Sequence, residues 1–235
     1  MRPIDRGDAP LDESREPIQF KKYQESRGYL LDRIGSYCSY CERSLGGNVA
    51  VEHMQPKSLH DELALTWDNF LLACVNCNSI KGLKSINLEE YLWPDKDNTL
   101  LAFHYMEGGL IRASTAITPE VKQLAERSMR LTGLDRYPSM DPYKNPERTD
   151  TRWRERCTAY DIAMRAKRNL TRYDNPAMRE LIVDTAIATG FFSVWMSVFQ
   201  HDADMLLRLI YAFPGTSTNC FDENGVSVNR EGGKV

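Results

Sequence analysis

The sequence has no long hydrophobic run, no surplus of positive charge and no glycine-rich loop of the kind that cradles nucleotide phosphates. Each absence excludes something. The most apolar stretch, residues 181–199, carries Asp184, Thr185, Thr189, Gly190, Ser193 and Ser197, a polar load that a membrane span rarely tolerates; it reads as buried helix. Residues 1–8 have no apolar core, so no secretory leader is expected and a cytoplasmic location is. Thirty Lys and Arg against 33 Asp and Glu leave a net charge of −3, which excludes coating nucleic acid by bulk charge but leaves room for a local basic groove. Without a phosphate loop, any sensing of ATP must come from another chain. At 42% hydrophobic and 27% charged residues the composition is that of a folded chain, and no internal repeat is visible.

Cysteines are few but patterned. Of six, four form two Cys-x-x-Cys pairs, Cys38/Cys41 and Cys74/Cys77, with 32 residues between them. A reducing compartment disfavours a disulfide framework, whereas a two-residue gap lets a tight turn point both sulfurs at one ion. Two such pairs predict a structural zinc. Cys157 and Cys220 stand alone and read as ordinary buried or half-buried thiols.

Residues 1–20, with Pro3, Pro10 and Pro17 among charges, predict an extended arm, followed by a short helix ending at Gly35. Residues 49–53 and 70–73 read as short strands, with a helix from Asn78. Residues 100–113 predict a β-hairpin around Glu107-Gly108-Gly109. Thr118-Pro119 starts a helix that Gly133 ends. Beyond Asp150 the chain is helical: Trp153, Cys157, Tyr160 and Met164 form one apolar stripe, Asn175-Pro176 and Asp202 start further helices, and Pro214 stops the last. The polar, Gly-containing end is expected to be mobile. The organisation expected is an arm and short helix (1–35), a cysteine-bearing core (36–90), a hairpin and helix (91–140), a helical region (141–218) and a flexible tail (219–235).

Chemistry concentrates between the cysteine pairs. Glu52 and Asn78 are hard oxygen donors suited to Mg²⁺ or Mn²⁺. His53, beside Glu52 at a strand end, can act as a base near neutral pH. Lys57, Lys81 and Lys84 flank the cluster and could hold phosphates. An ion beside an imidazole is a minimal phosphodiester-hydrolysis site. Taken singly, His53 would more often be a structural histidine, and Asn69 and Asn78 turn or cap residues. His60, His104 and His201 have no framing motif.

Cys38-Ser39-Tyr40-Cys41, Val51-Glu52-His53-Met54-Gln55-Pro56-Lys57-Ser58, Trp67-Asp68-Asn69-Phe70-Leu71-Leu72-Ala73-Cys74 and Cys77-Asn78-Ser79-Ile80-Lys81-Gly82 resemble the HNH, or ββα-metal, endonucleases. The resemblance implies an α+β fold: a ββα-metal core with structural zinc, followed here by the hairpin and a mainly α-helical C-terminal region. It places the general base on His53, the acidic metal ligand on Glu52, the loop-tying asparagine on Asn69 and the last metal ligand on Asn78. With the opening Met1-Arg2-Pro3-Ile4, the run from Glu52 to Ser58, the Glu107-Gly108-Gly109 hairpin and the helix after Thr118, the chain resembles more closely the HNH subunits of Septu-type anti-phage systems, including those linked to retrons, specifically over residues 36–84 and more loosely to either side. That implies a hetero-oligomer with a partner ATPase, in retron systems also a reverse transcriptase with its nucleic acid, and destruction of nucleic acid, DNA first. The rivals are a stand-alone restriction-type nuclease and a non-catalytic zinc-ribbon binding module, which has no use for Glu52, His53 and Asn78 together. The helical region, above all the aromatic residues between 191 and 199, is expected to dock the partner, against the alternative that it fills a core.

Overall fold

The computed structural model describes residues 1–47 and 49–235. Helix α1 (Ser26–Ile34) ends at Gly35, whose positive φ of 71° turns the chain into the first cysteine pair. Strands β1 (Ala50–His53) and β2 (Phe70–Ala73) pair antiparallel, with Glu52 opposite Leu71 and His53 opposite Phe70. Every residue of β2 is buried, which suits a short apolar strand covered on both faces. Helix α2 (Val75–Lys81) begins earlier than the expected Asn78, because Cys74 is its cap and accepts from the Cys77 amide.

The expected hairpin is shorter than the sequence suggests. Residues 99–102 coil into one turn, α3 (Thr99–Ala102), capped by Asn98. Only β3 (Phe103–Met106) and β4 (Leu110–Ala113) pair, antiparallel, through a turn at residues 107–109. Helix α4 (Pro119–Thr132) runs from the Thr118 cap to left-handed Gly133. The helical half follows as α5 (Arg152–Arg172), α6 (Pro176–Thr189), α7 (Phe192–Val198) and α8 (Ala203–Ala212). This is an α+β fold of two small antiparallel sheets and flanking helices. Among the described residues no helix is long and apolar enough to cross a membrane.

Three expectations are corrected. The N-terminal arm is extended but built into the core: Met1, Arg2, Ile4 and Arg6 are buried. Arg2 donates to the carbonyls of Ile34 and Phe213, and Arg6 donates to the Phe70 carbonyl and pairs with Asp95 at 2.9 Å. Buried guanidinium groups need such partners, which fixes the arm in place. The C-terminal segment is also tied down. Val228 donates to the Cys220 carbonyl (2.9 Å), Lys234 to Asp97 (2.7 Å), and Val235 accepts from Asn98 (2.8 Å).

The third correction concerns docking. Phe192 and Trp195 are both 0% exposed, and Phe191, Val194, Met196, Val198 and Phe199 are buried with them. Phe192, Trp195, Met196, Val198 and Phe199 pack with α5, α6 and α8 in a second apolar cluster, while Phe191 and Val194 join the one around β2 and the cysteines. A side chain filling a core cannot present itself to another chain.

Candidate active site and zinc knuckle

The two cysteine pairs meet. Cys38, Cys41, Cys74 and Cys77 are buried, and their sulfurs lie within 4.8 Å of one another, with Cys41 and Cys74 Sγ 3.7 Å apart. Tetrahedral Zn–S bonds of about 2.3 Å put sulfurs about 3.8 Å apart, so the geometry fits zinc. The donor chemistry agrees. Burial pushes the Cys41 and Cys77 thiols up, while hydrogen bonds from Cys38, Cys41 and Cys77 hold Cys74 down. Four thiolates share so small a buried volume only around a cation. The turns are set locally: the Cys41 and Cys77 amides donate to Cys38 and Cys74 Sγ (3.5 and 3.4 Å). Ser39 joins the first turn to Leu72 of β2, its amide donating to the Leu72 carbonyl at 2.8 Å.

Sequence reasoning missed the cations around this knuckle. The apolar stripe of α5 is only half-buried; the face that enters the core, offset by one residue, carries Arg152, Arg156, Ala159 and Ala163. Arg152 donates to Cys77 Sγ at 3.0 Å and to the Thr132 carbonyl at 2.7 Å, and pairs with buried Asp150 at 2.6 Å. A cation donating to a thiolate offsets the negative charge of a four-cysteine zinc site. The helical spacing of 152, 156, 159 and 163 was the available signal. The knuckle also grips the α6–α7 junction: Phe191 donates to the Glu42 carbonyl (2.9 Å) and the Ser193 amide to the Glu42 carboxylate (2.7 Å). Gly190, at φ 76°, passes so close that an added Cβ would sit 2.7 Å from the Glu42 oxygen.

His53 ends β1 on the far side of the same hairpin. Its ring lies edge-on between Tyr23 (4.9 Å between centroids) and Phe70 (5.2 Å). Nε2 is 3.0 Å from the Ala64 carbonyl. A carbonyl only accepts, so Nε2 carries the proton and Nδ1 keeps its lone pair. Burial, opposed by the Ala64 bond and helped by Lys57 and Lys81, pushes this imidazole below its ordinary value.

Asn69 holds the loop that supplies Ala64. Its Oδ1 accepts from the Gln55 amide (2.7 Å), and its Nδ2 donates to the carbonyls of Gln55 (2.9 Å) and Leu63 (3.2 Å). One asparagine thus fixes the residue before Ala64, and Ala64 fixes the imidazole.

Glu52 and Lys81 form a buried pair at 2.8 Å, and the Lys81 ammonium also donates to the His53 carbonyl at 2.7 Å. Lys81 is 2% exposed, which corrects the expectation that it holds phosphate: its three donors face inward. Burial raises the Glu52 carboxyl, against the pull of Lys81. Asn78 lies on α2, half-buried, and its side chain makes no hydrogen bond among the described residues. Glu52 and Asn78 are of the right chemical type for a hard cation, with Glu52 already sharing Lys81. Lys57 sits 4.3 Å above the Tyr23 ring, and exposed Lys84 caps α2 through the Ile80 carbonyl (2.8 Å). His60 pairs with Glu62 (3.2 Å); His104 and His201 are exposed.

Residues 38–84, the β-hairpin and helix that carry the four cysteines and the histidine at the strand end, match the model of the HNH endonucleases. The chain is also similar to the Septu protein PtuB of Bacillus thuringiensis, 30% identical over 95 residues. The match covers 37% of this chain and 37% of that relative's length.

Proposed function

We propose that this protein is a metal-dependent endonuclease that hydrolyses phosphodiester bonds in DNA, and that it acts in anti-phage defence together with an ATPase subunit of the PtuA kind. The observation that carries the nuclease reading is His53. Its proton is held on Nε2 by Ala64, its free Nδ1 is a base lone pair, and burial keeps the ring neutral at neutral pH. The defence setting and the ATPase rest on the similarity to PtuB, together with the lack of a nucleotide-phosphate loop in this chain.

In this reading His53 takes a proton from the attacking water, with Asn69 positioning it through Leu63 and Ala64. A divalent ion bound at Asn78 and Glu52 would supply charge stabilisation at the leaving oxygen. Lys81 neutralises Glu52 and ties its strand to α2. Lys57 and Lys84, on the rim, meet phosphates.

Because an imidazole must be neutral to accept a proton and this one is depressed, cleavage stays level through neutral pH. It falls only on acidification below the ordinary imidazole range of about 6.5. Incubating purified protein with supercoiled plasmid and Mg²⁺ or Mn²⁺ separates an enzyme from a zinc-ribbon binding module. Nicking that requires the added ion, and that needs more of it in Asn78→Ala, supports the reading. Tight binding without nicking under any ion contradicts it.

A further inference from the structure

Between β4, α4 and the loop after α4 lies a cavity of about 490 Å³, within the span of ligand-sized clefts, about 300–1,000 Å³. Its lining runs against the charge of the chain. Arg112, Lys122, Arg130 and Lys144 face only Glu126 and Asp135, in a protein of net charge −3. Arg130 is matched by Glu126 at 3.3 Å; among the described residues Arg112, Lys122 and Lys144 make no ion pair.

The lining includes one aromatic ring. Half-buried Tyr137 lines the cavity and its amide donates to the Lys144 carbonyl (2.9 Å), closing the loop over it. Tyr143, next to the lining residue Lys144 in the chain, is 91% exposed. Cations distributed along a cleft beside aromatic faces are the means by which proteins hold single strands: phosphates meet the cations and bases stack on the rings. The cleft adjoins the nuclease core. Helix α4 packs on α2 at Gly133, where an added Cβ would lie 2.9 Å from Ile80 Cδ1 of α2 and 3.2 Å from Arg136. Arg136 precedes Tyr137 in the chain and lies within electrostatic reach of Lys84 at the end of α2. Lys84, at the end of α2, thus has a second cation near it, one that neighbours the cleft residue Tyr137 in the chain.

We propose that this cleft seats a single-stranded segment of the nucleic-acid substrate, its phosphates on Arg112, Lys122 and Lys144 and a base on Tyr143. The proposal deepens the nuclease reading and rests on it. It implies that substrate enters with one strand separated, or is single-stranded throughout.

The test is fluorescence anisotropy of the full chain with a labelled 20-nucleotide strand, its duplex, and a mononucleotide as competitor, with no divalent ion added so that binding is read apart from turnover. Arg112→Glu with Lys122→Glu should weaken strand binding at least tenfold. It should also flatten the dependence of log K on log salt by about 1.4, at about 0.7 for each lost phosphate contact on a single strand. Both residues are exposed, so the melting temperature should hold. Tyr143→Ala should weaken binding about fivefold or more with the salt slope unchanged. Wild-type affinity in the double variant overturns the proposal, as does a duplex bound more tightly than the strand with the same loss on charge reversal. A mononucleotide that displaces the strand at equal concentration overturns it too. If wild type nicks nothing yet the double variant loses strand binding, the nuclease reading fails and the cleft assignment stands. If wild type nicks and the double variant binds as before, only the cleft assignment fails.

Discussion

Residues 36–90 and the helices of residues 152–212 are both buried and dense, yet they hold together by different means. In the first region the interior contains four thiols, the Glu52–Lys81 pair and Asn69 with all its amide atoms bonded. In the second it contains Phe192, Trp195, Phe199, Met205 and Leu209, with Trp195 stacked on Phe199 at 6.4 Å. Thiols, charges and amides demand particular partners, so the first region has few ways to be assembled and each has a polar signature. Apolar packing demands volume and pattern, so the second region tolerates exchange of one large side chain for another. Where they meet, polar groups act again: Arg152 reaches Cys77, Arg43 pairs with Glu155, and Glu42 caps Ser193. The knuckle thereby ties the helices to the site.

The comparison breaks most sharply on metal removal. Cys38→Ser with Cys74→Ser should abolish about one zinc per chain by elemental analysis. The melting transition of the whole chain should go with it, since zinc ligation supplies apparent energies of about 10–16 kcal/mol. Retention of the wild-type melting temperature would make the knuckle incidental.

Trp195→Ala tests the apolar side. It should cost about 3–5 kcal/mol in chemical denaturation and leave zinc content at the wild-type level. If stability holds while a partner is lost in co-purification, the ring is a docking residue and its place in the core is wrong.

Lys81→Met tests whether the site region depends on pairing rather than volume. Leaving Glu52 buried and uncompensated should cost about 3–5 kcal/mol, and adding Glu52→Gln should recover much of it. Equal losses in the single and double variants would mean that packing, not charge, holds α2 to β1.

This difference between the regions is also what made one legible and the other less so. Cys38, Cys41, Cys74, Cys77, Glu52 and His53 announce themselves by type and spacing, and the strands, caps and helix starts at Thr118, Asn175 and Asp202 follow from local chemistry. Which face of α5 turns inward is not local. Arg152 and Arg156 are buried because a thiolate and carbonyls wait for them across the fold, so a stripe chosen by hydrophobicity misses the face by one residue. The same reason hid the role of Lys81, whose partner is 29 residues away in sequence. It hid the docking of both terminal segments as well, which read as polar and loose but find carbonyls and carboxylates that other elements present.

Asn69→Ala gives a smaller effect, on the rate and, through the buried groups it leaves unpaired, about 1–3 kcal/mol on stability. Removing the bonds to Gln55 and Leu63 frees the loop that carries Ala64, so kcat should fall about 10- to 100-fold with zinc unchanged and substrate affinity nearly so. A loss confined to affinity would place Asn69 at the substrate instead.

The most direct test of the account is the cleavage rate of His53→Ala against wild type, at matched zinc content and melting temperature, with saturating Mg²⁺ or Mn²⁺. Removal of the Nδ1 lone pair, with the knuckle intact on the other side of the hairpin, predicts a rate lowered by a factor of about 100 to 10,000. Cleavage at the wild-type rate would contradict it, and the base would have to be sought elsewhere.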